Sequence, residues 1–190
     1  MFHSNIGVPA FVYALVLTVA ALPAYSHDGH GAHEHGIGEL DIAIEGDIVE
    51  LELTSPGINL LGFEHPPRDA EEQETLDKAV RSLKDGTTLI AFGEAGCELV
   101  KSSIQSPLLK KGGPAGRPSD EDSDENDHDE HADFSVSWSV KCAKPASLNG
   151  LNASAFFARF PGTEKLRLKA VTSKGQTSGE LTAGTPKFRF

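Results

Sequence analysis

Apolar residues alternate one for one in two neighbouring runs near the start of the chain. Leu40, Ile42 and Ile44 are interleaved with Glu39, Asp41 and Ala43, and Val49, Leu51 and Leu53 with Glu50 and Glu52. A period of two places each apolar set on one face of a strand. Glu45-Gly46-Asp47 supplies the glycine a tight connection requires, so the two runs predict a β-hairpin with one apolar and one acidic face. The alternation is longest in FSVSWSVKC, where Phe134, Val136, Trp138, Val140 and Cys142 interleave with Ser135, Ser137, Ser139 and Lys141. Leu166, Leu168 and Ala170 alternate with Lys165, Arg167 and Lys169, and QTSGELTA and the final PKFRF read as further strands. TLIAF and CELV read as two short strands around the turn GEAG.

The period changes to that of a helix in RDAEEQETLDKAVRSLKDG, where Leu76, Ala79, Val80 and Leu83 fall at i, i+3, i+4 and i+7. Asp69 is placed to cap this helix, Glu72 follows three residues later, and Gly86 is expected to stop it. LNASAFFARF predicts a second, short helix with Leu151, Ala155 and Phe156 on a common face. The expected fold is α+β: a single domain, mainly an antiparallel sheet with one amphipathic helix packed on a face.

All such patterning fails between residues 103 and 132. Ser119–Asp133 holds nine acidic residues, two histidines and no apolar residue larger than alanine, so it cannot contribute to a core. The expectation is a long disordered acidic insert within the domain. The chain's two cysteines, Cys97 and Cys142, stand on either side of it. An even pair in an exported chain predicts a disulfide. A pair of zinc thiolates is the competing assignment, but neither cysteine has a C-x-x-C neighbour, and Cys142 lies on the apolar side of its strand.

Export is predicted by the amino terminus. Residues 1–26 contain no Lys, Arg, Asp or Glu, VPAFVYALVLTVAAL is an apolar run of signal-peptide length, and Ala24-Tyr25-Ser26 sets small residues at −3 and −1 of a cleavage site after Ser26. Pro9 and Pro23 trim the run below the roughly 20 apolar residues of a spanning helix, which disfavours an uncleaved anchor. The expected partition is a signal peptide at 1–26, a His-rich segment at 27–38 and a metal-binding domain at 39–190, in the periplasm and off the membrane after cleavage. The formal net charge of −11 argues against nucleic acid and anionic membrane surfaces and favours cations as partners.

Candidate chemistry is concentrated in imidazole. HDGHGAHEH carries four of the eight histidines, His27, His30, His33 and His35, immediately before the first strand. His33 and His35 form an H-x-H pair whose rings would project from one face of an extended chain, close enough to share an ion. Neutral imidazole suits zinc, copper, nickel and iron, and zinc wants three or four ligands. His65, in GFEHPP just past the hairpin, is the natural third, and Glu64 beside it could be the fourth or orient a histidine from behind. His128 and His131 form a second cluster in DENDHDEHAD, a flexible low-affinity trap that would raise the local metal concentration for a tighter site. Asp120, Asp122 and Asp124 have the spacing of a calcium loop, but its glycine is missing. Cleavage after Ala24 instead of Ser26 would leave Tyr25-Ser26-His27 at the amino terminus, a copper- or nickel-binding pattern, though the cleavage rule favours Ser26.

HEHGIGELDIAIEG, SPGINLLGFEHPP, the acidic His/Asp insert and the closing W-S-V-K-C together resemble the periplasmic zinc-binding ZrgA-type family over essentially the whole mature chain. The most specific pieces are H-x-H-G before the first strand and N-L-x-G-F-E-H after the second. The resemblance implies His33, His35 and His65 as zinc ligands, with His128 and His131 in a metal-rich loop. It also implies a role in zinc acquisition beside an ABC importer.

Two other functions compete. A three-histidine zinc site with an open position could support a hydratase or hydrolase, but H-E-x-x-H, G-x-S-x-G and H-x-H-x-D-H are absent and the insert has no catalytic use. An acidic interaction module, its histidines incidental, is the third. A binding protein rather than an enzyme is expected, with Zn2+ as its ion and Cu2+ or Ni2+ chemically compatible.

Overall fold

The predicted hairpin is formed by β1 (Ile37–Glu45) and β2 (Ile48–Pro56), with Leu40 opposite Leu53, Ile42 opposite Leu51 and Ile44 opposite Val49. Gly46 turns the chain with φ +61°, a conformation that favours glycine. In this computed structural model residues 34–109 and 132–190 are described. The longest alternating run is β4 (Asp133–Cys142), which lies antiparallel to β2 and extends the same rows: Val136 beside Leu53, Trp138 beside Leu51, Val140 beside Val49. With β3 (Cys97–Gln105), β6 (Lys165–Thr172) and β7 (Gly175–Thr182) the sheet has six strands in the order β3-β4-β2-β1-β6-β7. Four of its five pairings are antiparallel; β1 and β6 run parallel, Leu40 beside Leu168 and Ile42 beside Ala170.

One face of the sheet is buried by helices. After α1 (Gly57–Leu61) comes α2 (Ala70–Leu83), which packs Leu76, Ala79 and Leu83 into the core. Asp69 caps α2 as its sequence predicts, its carboxylate accepting the Glu71 and Glu72 amides at 2.9 Å each. A short turn, α3 (Gly86–Leu89), follows. Beyond β5 (Gly150–Asn152), α4 (Ser154–Arg159) adds Phe156 and Phe157 to the same core. β5 pairs with β8 (Lys187–Arg189) in a separate two-stranded ladder. Trp138 is at the centre, its indole N–H donating 2.6 Å to the Leu83 carbonyl. Gly86 is required beside it: a Cβ there would come within 2.5 Å of the ring. That contact, rather than the termination of α2, explains the glycine, since the helix closes at Lys84 in right-handed geometry.

The sheet's other face is polar, with Asp41, Glu50 and Glu52 exposed and Glu50 accepting the Ser139 hydroxyl at 2.6 Å. The α+β architecture, mainly an antiparallel sheet with an amphipathic helix on one face, is therefore present. No helix among the described residues is long and apolar enough to cross a membrane.

Four local features differ from the sequence patterning. In LNASAFFARF only Ser154–Arg159 is helical, with Leu151 in β5 and Ala155 exposed, so these two share no helix face with Phe156. TLIAF is not a strand; Leu89, Ile90 and Phe92 are all buried, which a helical turn and a single bridge from Ala91 to Asn152 achieve and strict alternation could not. SPGINLL contains a helix, α1, hidden behind its Pro-Gly start. The insert also begins later than its expected bound of residue 103: β3 continues to Gln105, and a 3-10 turn at Pro107–Leu109 buries Leu108. Ala132 is likewise buried, at the far end of the insert. Composition placed the boundary too early because Ser102 to Ser106 are mostly polar, as an edge strand tolerates. Residues 110–131 lie outside the described residues.

Cys97 and Cys142 stand opposite each other in the β3–β4 ladder and are joined by a disulfide spanning 45 residues of sequence. Closing a loop of that size removes about 4 kcal/mol of unfolded-chain entropy, which helps keep the edge strand on β4 despite the insert; the ladder shifts register once, between Leu99 and Lys101.

Candidate metal centre

Two segments far apart in sequence meet at one end of the sheet. The first is the entry to β1, Glu34-His35-Gly36, and the second is the turn that leaves α1. Gly62 ends α1 with φ +87°, its amide donating 2.9 Å to the Ile58 carbonyl, and Phe63-Glu64-His65 follow. Asn59, buried within α1, holds the two segments together. Its Oδ1 accepts the Gly36 amide at 2.7 Å, and its Nδ2 donates to the Ile37 carbonyl at 3.0 Å and to Ser55 Oγ at 3.3 Å. From the other side the Gly36 carbonyl accepts the amides of Glu164 and Lys165, at 2.8 and 2.9 Å. Glu34 adds an exposed ion pair with Arg167 at 2.8 Å.

This arrangement brings His35 Nε2 to 3.6 Å from Glu64 Oε2. The separation is long for a hydrogen bond. It is close to that of two ligands on one ion: donors about 2.1 Å from zinc at a tetrahedral angle stand about 3.4 Å apart. The His35 side chain is 67% exposed and Glu64 only 23%. Glu64 Oε1 is buried with no hydrogen-bond partner among the described residues. A buried carboxylate oxygen without a donor is unfavourable, and a bound cation relieves it. The donor set, one imidazole nitrogen and one carboxylate, fits zinc.

His65 belongs to a different pair. Its ring stacks on Phe63, centroids 5.2 Å apart. Its Nδ1 is 3.1 Å from the Pro66 carbonyl and 3.7 Å from Glu72 Oε2, the oxygen that also accepts the Arg68 amide at 2.7 Å. The Pro66 carbonyl, within hydrogen-bond reach of Nδ1, places the ring hydrogen there, with the Glu72 carboxylate farther off.

Of the residues singled out in the sequence, His35 and Glu64 are brought together, and His65 is paired with Glu72. His27, His30, His33, His128 and His131 lie outside the described residues. Among the described residues no group of three His, Cys, Asp or Glu could hold a metal. The insert rejoins the sheet close by: Gly57 donates 2.9 Å to the carbonyl of Ala132, and a Cβ at Gly57 would lie 3.0 Å from the Phe63 carbonyl. Asn59 and Glu164 escaped the sequence reading, and Glu72, singled out there only with the Asp69 cap, faces His65. For Asn59 a signal existed, an amide inside an apolar stretch of the N-L-x-G-F-E-H motif.

No curated protein matches the chain. A family model described as ZrgA family zinc uptake protein matches residues 32–190.

Proposed function

This chain belongs to the ZrgA family of zinc uptake proteins, and from that premise we propose that it captures zinc in the periplasm and assists its transfer to an ABC importer. The observation that carries the assignment of the site is the His35–Glu64 spacing, with its buried and unpartnered carboxylate oxygen. His33, two residues from His35 in the H-x-H pair, supplies a further imidazole. His27 and His30 in the tail, and His128 and His131 in the acidic insert, form weaker accessory sites that load the tight one. The signal-peptide pattern of residues 1–26 supports export, and the family description is of uptake, not catalysis. The same donors accept Cu2+ and Ni2+, and copper stands above zinc in intrinsic affinity; the family favours zinc.

The test is elemental analysis of protein purified from its own periplasm, paired with competitive zinc titration of the mature chain. One tightly held zinc is expected, lost in a His35→Ala/Glu64→Gln double variant. Unchanged affinity in that variant would overturn the site.

A further inference from the structure

The N-L-x-G-F-E-H motif contains more than its glutamate and histidine. Its first residue, Asn59, is 3% exposed, and its side-chain amide makes three hydrogen bonds, two of them to the backbone of Gly36 and Ile37. These bonds fall on the two residues that directly follow His35. On its other side Asn59 is part of α1, whose glycine-terminated end leads straight into Glu64. We propose that Asn59 is the positioning residue of the metal centre: it fixes the backbone behind His35 to the helix whose end leads into Glu64, and so sets the spacing of the two ligands.

The surroundings hold this amide in place. Ser55, buried in the last turn of β2, takes the second Nδ2 hydrogen. Gly162 lies against the Asn59 backbone so closely that a Cβ there would come within 2.7 Å of the Asn59 carbonyl. Gly36 is the hinge: its φ of +82° turns the chain between His35 and the strand, and its carbonyl is gripped by Glu164 and Lys165 while its amide is gripped by Asn59. His35 itself makes no backbone pairing in the sheet, because β1 starts at Ile37. Its ring is exposed, so the clamped backbone sets the point from which it reaches toward Glu64. An amide suits this position because it offers an acceptor to Gly36 and donors to Ile37 and Ser55 at once, without placing a charge in a buried site. Alanine, aspartate or leucine would fail at least one of these contacts.

The inference rests on the His35–Glu64 assignment, and its test separates the two. Zinc affinity of the mature protein is measured by competition titration, with Co2+ visible absorption as a report of ligand geometry, for wild type, Asn59→Ala and His35→Ala/Glu64→Gln. Asn59→Ala should weaken zinc by about tenfold to a hundredfold, as outer-shell partners do, and alter the Co2+ spectrum, at a temperature where circular dichroism shows the variant folded. A folded Asn59→Ala with wild-type affinity and spectrum would overturn the positioning role and leave the centre standing. Wild-type affinity in the His35→Ala/Glu64→Gln protein would overturn the centre itself, and the positioning role with it. Should Asn59→Ala not fold, the wild type decides alone. Coupling between ligand spacing and the clamp is reciprocal, so zinc should slow hydrogen exchange at the Gly36 amide by about tenfold or more. Exchange at Gly36 that is indifferent to zinc would overturn the proposal.

Discussion

Two histidine–glutamate pairs share the dipeptide Glu64-His65, and they are built differently. Glu64 reaches across to His35, from a segment preceding the whole hairpin, and leaves one oxygen buried and unpartnered. His65 reaches along its own neighbourhood to Glu72, whose oxygen already serves the Arg68 amide at the start of α2. The second pair is held locally: the Nδ1 hydrogen has the Pro66 carbonyl, and the Glu72 carboxylate has a backbone donor. The first pair retains unused acceptor capacity. Proximity of histidine to carboxylate is thus common to both, and what distinguishes the place we propose for a cation is the buried, unpartnered oxygen of Glu64.

The sharpest way to break this comparison is Glu64→Gln, which keeps the shape and removes the charge. If about 12 kcal/mol of zinc binding is shared among four ligands, losing one should weaken zinc about hundredfold, read by competition titration; an unchanged constant would erase the distinction. Acidification gives the next largest effect. Imidazole binds zinc only when unprotonated, so affinity should fall steadily as the buffer is acidified, and an affinity flat to pH 5 would assign the ion to carboxylates. Glu72→Gln and His65→Ala probe the second pair and should change tight binding by no more than about threefold, a residue at the margin of a network. A His65→Ala loss as large as that of Glu64→Gln would merge the pairs into the three-histidine site that sequence spacing suggests. Smallest of all, deleting residues 119–131 should leave the tight constant and the fold unchanged and remove only weaker zinc equivalents in calorimetry.

Much of the fold was legible because its signals are local. The hairpin follows from one alternation and one glycine, β4 from five apolar residues in strict register, and α2 from its stripe and its Asp69 cap. What was not legible depends on distant partners. Nothing in Leu166, Leu168 and Ala170 announces that their strand lies parallel to β1, since alternation gives a face and not a neighbour. TLIAF misled for a related reason: a short apolar run satisfies a buried turn as well as a strand. At the candidate site the residue types were readable, His35, Glu64 and His65 among them, while the pairing was not. Adjacent residues in an extended turn face opposite ways, so Glu64 and His65 could not both be assigned to one ion from spacing alone. Asn59 and Glu72 act through backbone contacts, which leave little trace in a single sequence.

The parallel contact between β1 and β6 has a temporal consequence. The carbonyl of Gly36 is held by amides at positions 164 and 165, so the seat of His35 is completed by a stretch near the opposite terminus. Pairings this remote along the polymer form slowly relative to neighbouring ones. A chain emerging from its amino end would carry its imidazoles long before their wall exists, and any fragment ending ahead of β6 would possess these side chains without the cradle.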